Sequence, residues 1–531
     1  MKVDRKFYLS SIDPGSGKTT LLAEVVQRWL SRSIKRDVGV LLCFATKAEI
    51  ETFITISGLD EAHYAIQTSD WLLNGKGLGF DRADEAMVLL TTHEMIRHHA
   101  GDSFEKAEQF HYKGAPRYLR VWDEGMALVE AISIRLDDIS GLYSQLRLHH
   151  EKLAEALESH IPSSATACVG DKLMIPAGLI FPNKKAAEAM FGVNDTRIGI
   201  LANLACLRGR ELEIGEDRTR GKTLMGYSRE LPADLGPIFI LDGSGRLKES
   251  YRLYEAHRTD WRRLPAYQHD YCNLTINWWK RASGKTELVN PASRLEIVEA
   301  AAAKINEDDE EWLVIIPKDD ARRGYILEKL IRDKVTGGKR RVQFIHWGIH
   351  KATNDYRRIK RVMVIGPLLY PGSAYRALYR AYTGLSAGTA PEDGIGAVRR
   401  SEIQDHLLQA VMRSNIRNPG PDGKCGDGEV FIIAPAMAMN EVILEEAFPG
   451  CSIVPWEPIP KGLRLTKQAA ELVDEILRQL STGITSVTKK SVRNALGLDA
   501  SALSRHLQRP AMKKRLMEEG IECGRNEFVQ K

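Results

Sequence analysis

The seven cysteines (Cys43, Cys168, Cys206, Cys272, Cys425, Cys451 and Cys523) are scattered, and no two form a C-x-x-C pair. That spacing argues against a disulfide scaffold, a zinc site and a cysteine-ligated iron–sulfur cluster. No apolar run is long enough to span a bilayer and no secretory leader is evident, so a cytoplasmic protein without membrane contact is expected. Internal repeats and long low-complexity tracts are also missing. The rest is ordinary for a globular chain, with 43% hydrophobic and 27% charged residues. A length of 531 residues is too great for one core. It implies about three or four domains.

Excess charge of one sign is confined to one place. The net charge is +5, and residues 461–531 hold 14 Lys/Arg against 8 Asp/Glu, leaving the other 460 residues near −1. A basic tail of this kind points to a nucleic-acid-binding appendage.

The most informative stretch lies at the other end. Residues 10–26 read SSIDPGSGKTTLLAEVV. A short strand, FYLSS, precedes a glycine-rich turn, and an amphipathic helix follows. Gly15 and Gly17 allow a tight turn whose N–H groups can point inward at an anion. Lys18 would reach the β- and γ-phosphates, the Thr19 hydroxyl would sit on Mg²⁺, and the helix start adds its own partial positive charge. Pro14, Gly15, Ser16, Gly17, Lys18, Thr19 and Thr20 are therefore the candidate nucleotide-binding residues. Ile12 stands where the full P-loop pattern has its first glycine.

Further apolar runs, VGVLLCFAT, AMVLLTTHEMI and RYLRVWDEGM, alternate with helical patterns. That alternation predicts a parallel α/β sheet with its ligands at the strand C-termini. The third run ends in Asp123-Glu124, placed to hold Mg²⁺ and to orient or activate a water. Residues 126–231 read as a helical insertion, after which GPIFILDGSGR resumes the sheet. Residues 261–290 are aromatic-rich and read as a connecting segment; YCNLTINWWKR within it could stack bases but is read as buried packing. A second α/β series without its own P-loop spans 291–460. In it the helix over 401–418 places Gln409, Arg413 and Arg417 at i, i+4 and i+8, along one face, where two cations could stabilise a transferring γ-phosphoryl. His93, His98 and His99 do not share a helix face and are not read as a metal site.

Taken in order, these stretches resemble a superfamily two helicase of the DEAD/DEAH-like kind. PGSGKTT matches motif I, FATKAEI resembles motif Ia, LLTTHEM a neighbouring strand-contact motif, and VWDEGM motif II. ILDGSGR stands at motif III, HWGIHKATNDYRRIKRVMVIG is similar to motif V, and QAVMRSNIR looks like motif VI. Motif II here is Asp-Glu-Gly-Met, and motif III has Gly-Ser-Gly in place of Ser-Ala-Thr. The resemblance covers about residues 7–435. It implies two RecA-like lobes (1–260 and 291–460), ATP and Mg²⁺ as cofactors, and Gln409, Arg413 and Arg417 reaching the ATP from the second lobe. It also implies strand contacts by Thr46, Thr92, Thr353 and Asn354.

The tail, 461–531, reads as a small all-α domain. Thr488–Leu516 splits into helix, GLD turn and helix, with Leu496, Leu498, Leu503 and Leu507 as its core. Ser501, Ser504, Arg505, His506 and Arg509 are expected on or near the exposed face, as in a helix-turn-helix, so Ser504, Arg505 and Arg509 are candidate nucleic-acid contacts. The expected function is an ATP-driven motor on nucleic acid, with DNA favoured over RNA. Two alternatives are a terminase-like packaging ATPase, drawing on Asp355 and Glu402–Asp405 for a nuclease centre, and an ATP-switched DNA-binding regulator with little hydrolysis.

Overall fold

Runs such as VLLCF (Val40–Phe44), VLLTT (Val88–Thr92) and WLVII (Trp312–Ile316) are buried at every position. Such runs suit strands covered on both faces, which is the environment of a parallel sheet flanked by helices. The computed structural model describes residues 6–31, 38–217, 220–228, 231–319, 326–337, 340–348, 355–459, 465–481 and 483–530. It divides into two units, Met1–Gln268 with Leu369–Gln409, and His269–Leu368 with Ala410–Lys531.

The first unit holds a seven-stranded sheet. Its spatial order is Trp261–Arg263, Phe7–Ser10, Ile238–Leu241, Leu119–Asp123, Val40–Phe44, Val88–Thr92, Tyr64–Gln67, and every pairing is parallel. The register aligns Ser10 with Leu241, Leu241 with Asp123, and Phe44 with Thr92. The residues that follow these strands therefore emerge along one carboxyl edge, where open α/β sheets bind their ligands.

The stretch 126–231 is not purely helical. It contains a four-stranded antiparallel sheet in the order Ala131–Arg135, Gly221–Tyr227, Glu211–Asp217, Lys172–Met174, beside helices such as Glu151–His160 and Thr196–Cys206. The cause is visible in AISIR, where Ile132 and Ile134 are buried and their neighbours are not, a period of two. The two-residue alternation overrides the helical reading of that run. The sheet and its helices share one apolar core that includes Ile134, Leu146, Leu157, Leu204 and Leu212.

The segment 369–409, expected in the second lobe, groups with the first unit. Its helix Gly372–Thr383 has no side-chain cap of its own. Asp217 of the insertion supplies one, accepting from Ser373 N at 3.0 Å and Ser373 Oγ at 2.6 Å. Glu213 accepts from Gly388 N at 2.8 Å and pairs with buried Arg380 at 3.6 Å.

The second unit carries a six-stranded parallel sheet in the order Val342–His346, Trp312–Ile316, Arg361–Ile365, Gly428–Ile433, Leu274–Trp279, Ser452–Pro455. The aromatic run taken for a connector thus supplies an internal strand, with Trp278 and Trp279 buried. The unit ends in a small module of helices Lys467–Leu480, Lys489–Ala495, Ala500–Gln508 and Pro510–Glu518, plus a three-stranded antiparallel sheet of Ser486–Thr488, Glu527–Gln530 and Ile521–Cys523. The tail is therefore not all-α. Its core joins Leu472, Ile476, Val492, Leu503 and Met512 to the sheet residues Val487, Ile521 and Phe528.

Candidate nucleotide and nucleic-acid site

The P-loop begins where the strand Phe7–Ser10 ends. Gly15 and Gly17 have φ of 89° and 80°, a left-handed conformation that glycine adopts without a Cβ penalty. The Ser16 hydroxyl donates to Asp13 O at 2.9 Å and tightens the turn. Arg246 Nε donates to the buried Asp13 carboxylate at 2.9 Å and anchors the loop from the motif III side. The helix Lys18–Ser31 starts directly at the turn, so its first N–H groups face the loop. Lys18 Nζ donates to Ile12 O at 2.6 Å and reaches Asp13 O at 3.3 Å. Burial pulls the Lys18 ammonium below its usual range, against the attraction of Glu124, Asp123, Asp242 and Asp13.

Asp123 closes its strand and is 8% exposed, and its carboxyl is pushed well above the usual range because burial and the neighbouring Glu124 disfavour its charge more than Lys18 restores it. Glu124 adopts φ 72°, a left-handed conformation for a residue with a side chain, and its N–H donates to Leu241 O at 3.1 Å. Such strain persists only where surrounding structure enforces it, and it clusters at functional sites. Beside them the ring of His93 stacks on Trp122 at 4.0 Å, with its Nε2 3.2 Å from Cys43 O.

Gln409 lies in this same unit. Its Nε2 is 3.2 Å from Ser244 Oγ and 3.5 Å from Glu124 Oε2. Ser244 is held by Asp242, whose Oδ1 is 3.0 Å from Ser244 N and 2.9 Å from Ser244 Oγ, and by a short contact with Asp405. Lys248 Nζ sits 2.9 Å from Asp242 and 3.7 Å from Asp405, and Tyr251 Oη donates to Asp242 at 2.8 Å. All five polar groups around Ser244 are nearly or fully removed from solvent. Burial alone would raise the Asp242 carboxyl, but Lys248 outweighs it and the group stays below the usual range. Burial likewise opposes the Lys248 charge, and Asp242 with Asp405 hold it well above the lysine range.

Sequence reasoning did not single out Asp13, Lys248, Arg246 or Tyr251, and it considered Asp405 only for a nuclease centre. Of these, Arg246 ends the ILDGSGR stretch, with Lys248 two residues beyond, and Asp13 lies in the P-loop stretch. The expected helical stripe of Gln409, Arg413 and Arg417 is broken. The helix ends at Val411, and Ser414 caps a separate 3₁₀ turn, Asn415–Arg417, by accepting from Ile416 N. Arg413 is buried and Arg417 half-buried, both in the second unit, while Gln409 belongs to the first.

Thr46 lies two residues past the strand Val40–Phe44, Thr92 is the last residue of the adjacent strand Val88–Thr92, and both are helix N-caps. Thr46 Oγ1 accepts from Glu49 N, with Glu49 returning the bond to complete a capping box, and Thr92 Oγ1 accepts from Met95 N. Thr353 and Asn354 lie outside the described residues. In the tail, Ser504, Arg505 and Arg509 are exposed on or just after the helix Ala500–Gln508, and Arg509 donates to Thr466 Oγ1 at 3.1 Å. His506, expected near that exposed face, is buried, because it shares the inward side of the helix with Leu503.

No family model and no curated protein matches the sequence. Solved structures do match in fold. An XPD structure in its apo form aligns with a TM-score of 0.50 at 11% identity, over 85% of this chain and 97% of that one. The Xpd4 protein of S. tokodaii aligns with a TM-score of 0.44 at 13% identity, over 84% and 96%. The likeness to the apo XPD structure is one of fold, an α/β chain with two RecA-like lobes.

Proposed function

We propose that this protein is an ATP-dependent nucleic-acid motor, a helicase or translocase, that hydrolyses ATP at the P-loop of its first unit. The observation that carries the reading is a convergence in one sheet. The P-loop, Asp123-Glu124 and Ser244 follow strands aligned in register, and Gln409, on the helix Glu392–Val411, meets Ser244 and Glu124. The donor set fits the groups implied. The glycine turn and helix start suit phosphate, and the Thr19 hydroxyl with the Asp123 carboxylate are the hard oxygen ligands that Mg²⁺ prefers. Bound Mg²⁺ would offset charge on the transferring phosphoryl.

The protein's own residues then have distinct tasks. Lys18 exchanges its contacts with Ile12 O and Asp13 O for the phosphates. The Glu124 carboxylate orients the attacking water and takes its proton, and the Gln409 amide holds Glu124. Arg413 and Arg417 supply positive charge to the transition state. Thr46, Thr92, Thr353 and Asn354 contact the strand, and the basic tail adds affinity, with DNA the preferred substrate. The terminase-like alternative drew on Asp355 and Glu402–Asp405 for a nuclease centre. Asp405 is instead engaged with Ser244 and Lys248, which favours the motor.

The test is ATP turnover with and without a panel of single- and double-stranded DNA and RNA, with Lys18→Ala as control. The motor reading expects turnover that nucleic acid stimulates and that the variant lacks. Absence of turnover with every nucleic acid, alongside tight ATP binding, would replace it with an ATP-switched regulator.

A further inference from the structure

Building on that reading, we propose that Lys248 is the positioning residue of the hydrolytic site, setting the place of Gln409 and hence of Glu124 through a buried chain of Asp242, Asp405 and Ser244. Each link is a direct contact in the structure. Lys248 Nζ lies between Asp242 Oδ2 at 2.9 Å and Asp405 Oδ1 at 3.7 Å, with the lysine side chain 12% exposed and the carboxylates 0% and 3%. Two carboxylates so placed would repel strongly at low effective dielectric, and a cation between them is what allows both to stay. Both carboxylates then reach Ser244 Oγ. The single Ser244 Oγ proton goes to one of the two carboxylates, and the oxygen accepts from Gln409 Nε2, 3.2 Å away. The second Nε2 hydrogen is left for Glu124 Oε2 at 3.5 Å.

The backbone of motif II is shaped to the same lysine. A Cβ on Gly125 would stand 2.2 Å from Lys248 Nζ and 3.2 Å from Asp242 Oδ2. Gly125 does not have a positive φ, so its glycine is explained by space and not by conformation. The two departures in this chain, Asp-Glu-Gly-Met in motif II and Gly-Ser-Gly in motif III, thereby acquire one cause. The ammonium occupies the room that a side chain at position 125 would take, and Ser244 of the Gly-Ser-Gly turn is the group it positions.

The role differs from that of a plain structural ion pair, and two experiments separate them. The first needs no nucleotide. Denaturant midpoints are measured for Lys248→Met, Gln409→Leu and the double variant. If the chain through Ser244 couples the two residues, the double change falls clearly short of the sum of the single ones; additive changes overturn the proposal. This arm stands even if the protein proves to have no ATPase activity, which would sink the motor reading separately.

The second arm reads kinetics. Misplacing a catalytic group by about 1 Å costs about a hundredfold, so Lys248→Met is expected to cut kcat by about that factor, with KM for ATP within about threefold of wild type. Lys248→Met combined with Asp405→Asn restores the net charge of the cluster and should recover at least about tenfold of the lost kcat. That variant also serves if Lys248→Met alone fails to fold. A Lys248→Met protein that is less stable but turns over at the wild-type rate, or a double variant with no recovery, would reduce Lys248 to a structural ion pair.

Discussion

Glu124 and His93 show how single side chains are fixed at this edge. The left-handed backbone at Glu124, with φ 72°, turns the chain sharply after Asp123, and Gln409 Nε2 meets its carboxylate at 3.5 Å. Glu124→Gln keeps the shape and removes the carboxylate proposed as the base. It should bind ATP with near wild-type affinity and hydrolyse it slowly, as single-turnover kinetics beside equilibrium nucleotide binding would show. Parallel loss of binding would mean that the residue shapes the pocket instead. His93, stacked on Trp122, titrates near 3 because burial, with Arg97 nearby, disfavours its charged form. The unfolded chain takes up this proton near pH 6.5 and the folded one only near 3. Stability from His93 is therefore complete above about pH 6.5 and is lost as pH falls toward 3. In His93→Phe the decline of melting temperature between pH 6.5 and 4 should be shallower than in wild type, and an unchanged slope would refute the assignment.

At the scale of elements, caps and helix ends decide where the functional residues stand. Thr46 caps the helix Lys47–Ser57 through a complete capping box. Thr46→Ala should cost about 1 kcal/mol of stability, and Thr46→Ser should keep most of it. If Thr46 also touches a strand, only the alanine variant's loss of nucleic-acid affinity should exceed what its stability loss explains; binding titrations on folded protein would show it. The helix Glu392–Val411 stops two residues before Arg413, and the Ser414-capped turn carries Arg417. The two arginines therefore do not act as one stripe with Gln409. Arg413→Ala and Arg417→Ala should each lower turnover, by up to about a thousandfold for a residue that meets the phosphoryl, with much less effect on ATP affinity. Normal rates in both variants would remove them from the site.

For the whole molecule, the distribution of charge and of separate cores sets the expectation. The tail module has its own core, and Arg515 of its helix Pro510–Glu518 pairs with Glu299 of the helix Pro291–Ile305 at 3.2 Å. The RecA-like sheets are built from other residues, so deleting 461–531 should leave ATP turnover at saturating nucleic acid intact. The deletion removes a net charge of +6. Affinity for nucleic acid should fall and its dependence on salt should flatten, because fewer phosphates are neutralised. Unchanged affinity and salt slope would make the tail a packing or partner-binding module.

The sequence by itself determined the elements whose signal is local. The P-loop turn, the buried strands and the Asp123-Glu124 strand end are written in contiguous residues, and the α/β class followed from their alternation. The tail's helices Lys489–Ala495 and Ala500–Gln508 were legible for the same reason, but its sheet was not, because Ser486–Thr488 and Ile521–Cys523 are three residues each and meet through a third strand. Tertiary structure alone decided the rest. The grouping of 369–409 with the first unit depends on caps and ion pairs from the insertion, Asp217 to Ser373 and Glu213 to Arg380, over more than 150 residues of sequence. The pairing of Gln409 with Glu124 spans 285 residues. Such contacts have no period and no spacing to read. They exist because buried polar groups must find partners wherever the fold brings them, and that is how Lys248, one cation among many in the sequence, comes to stand beside the site.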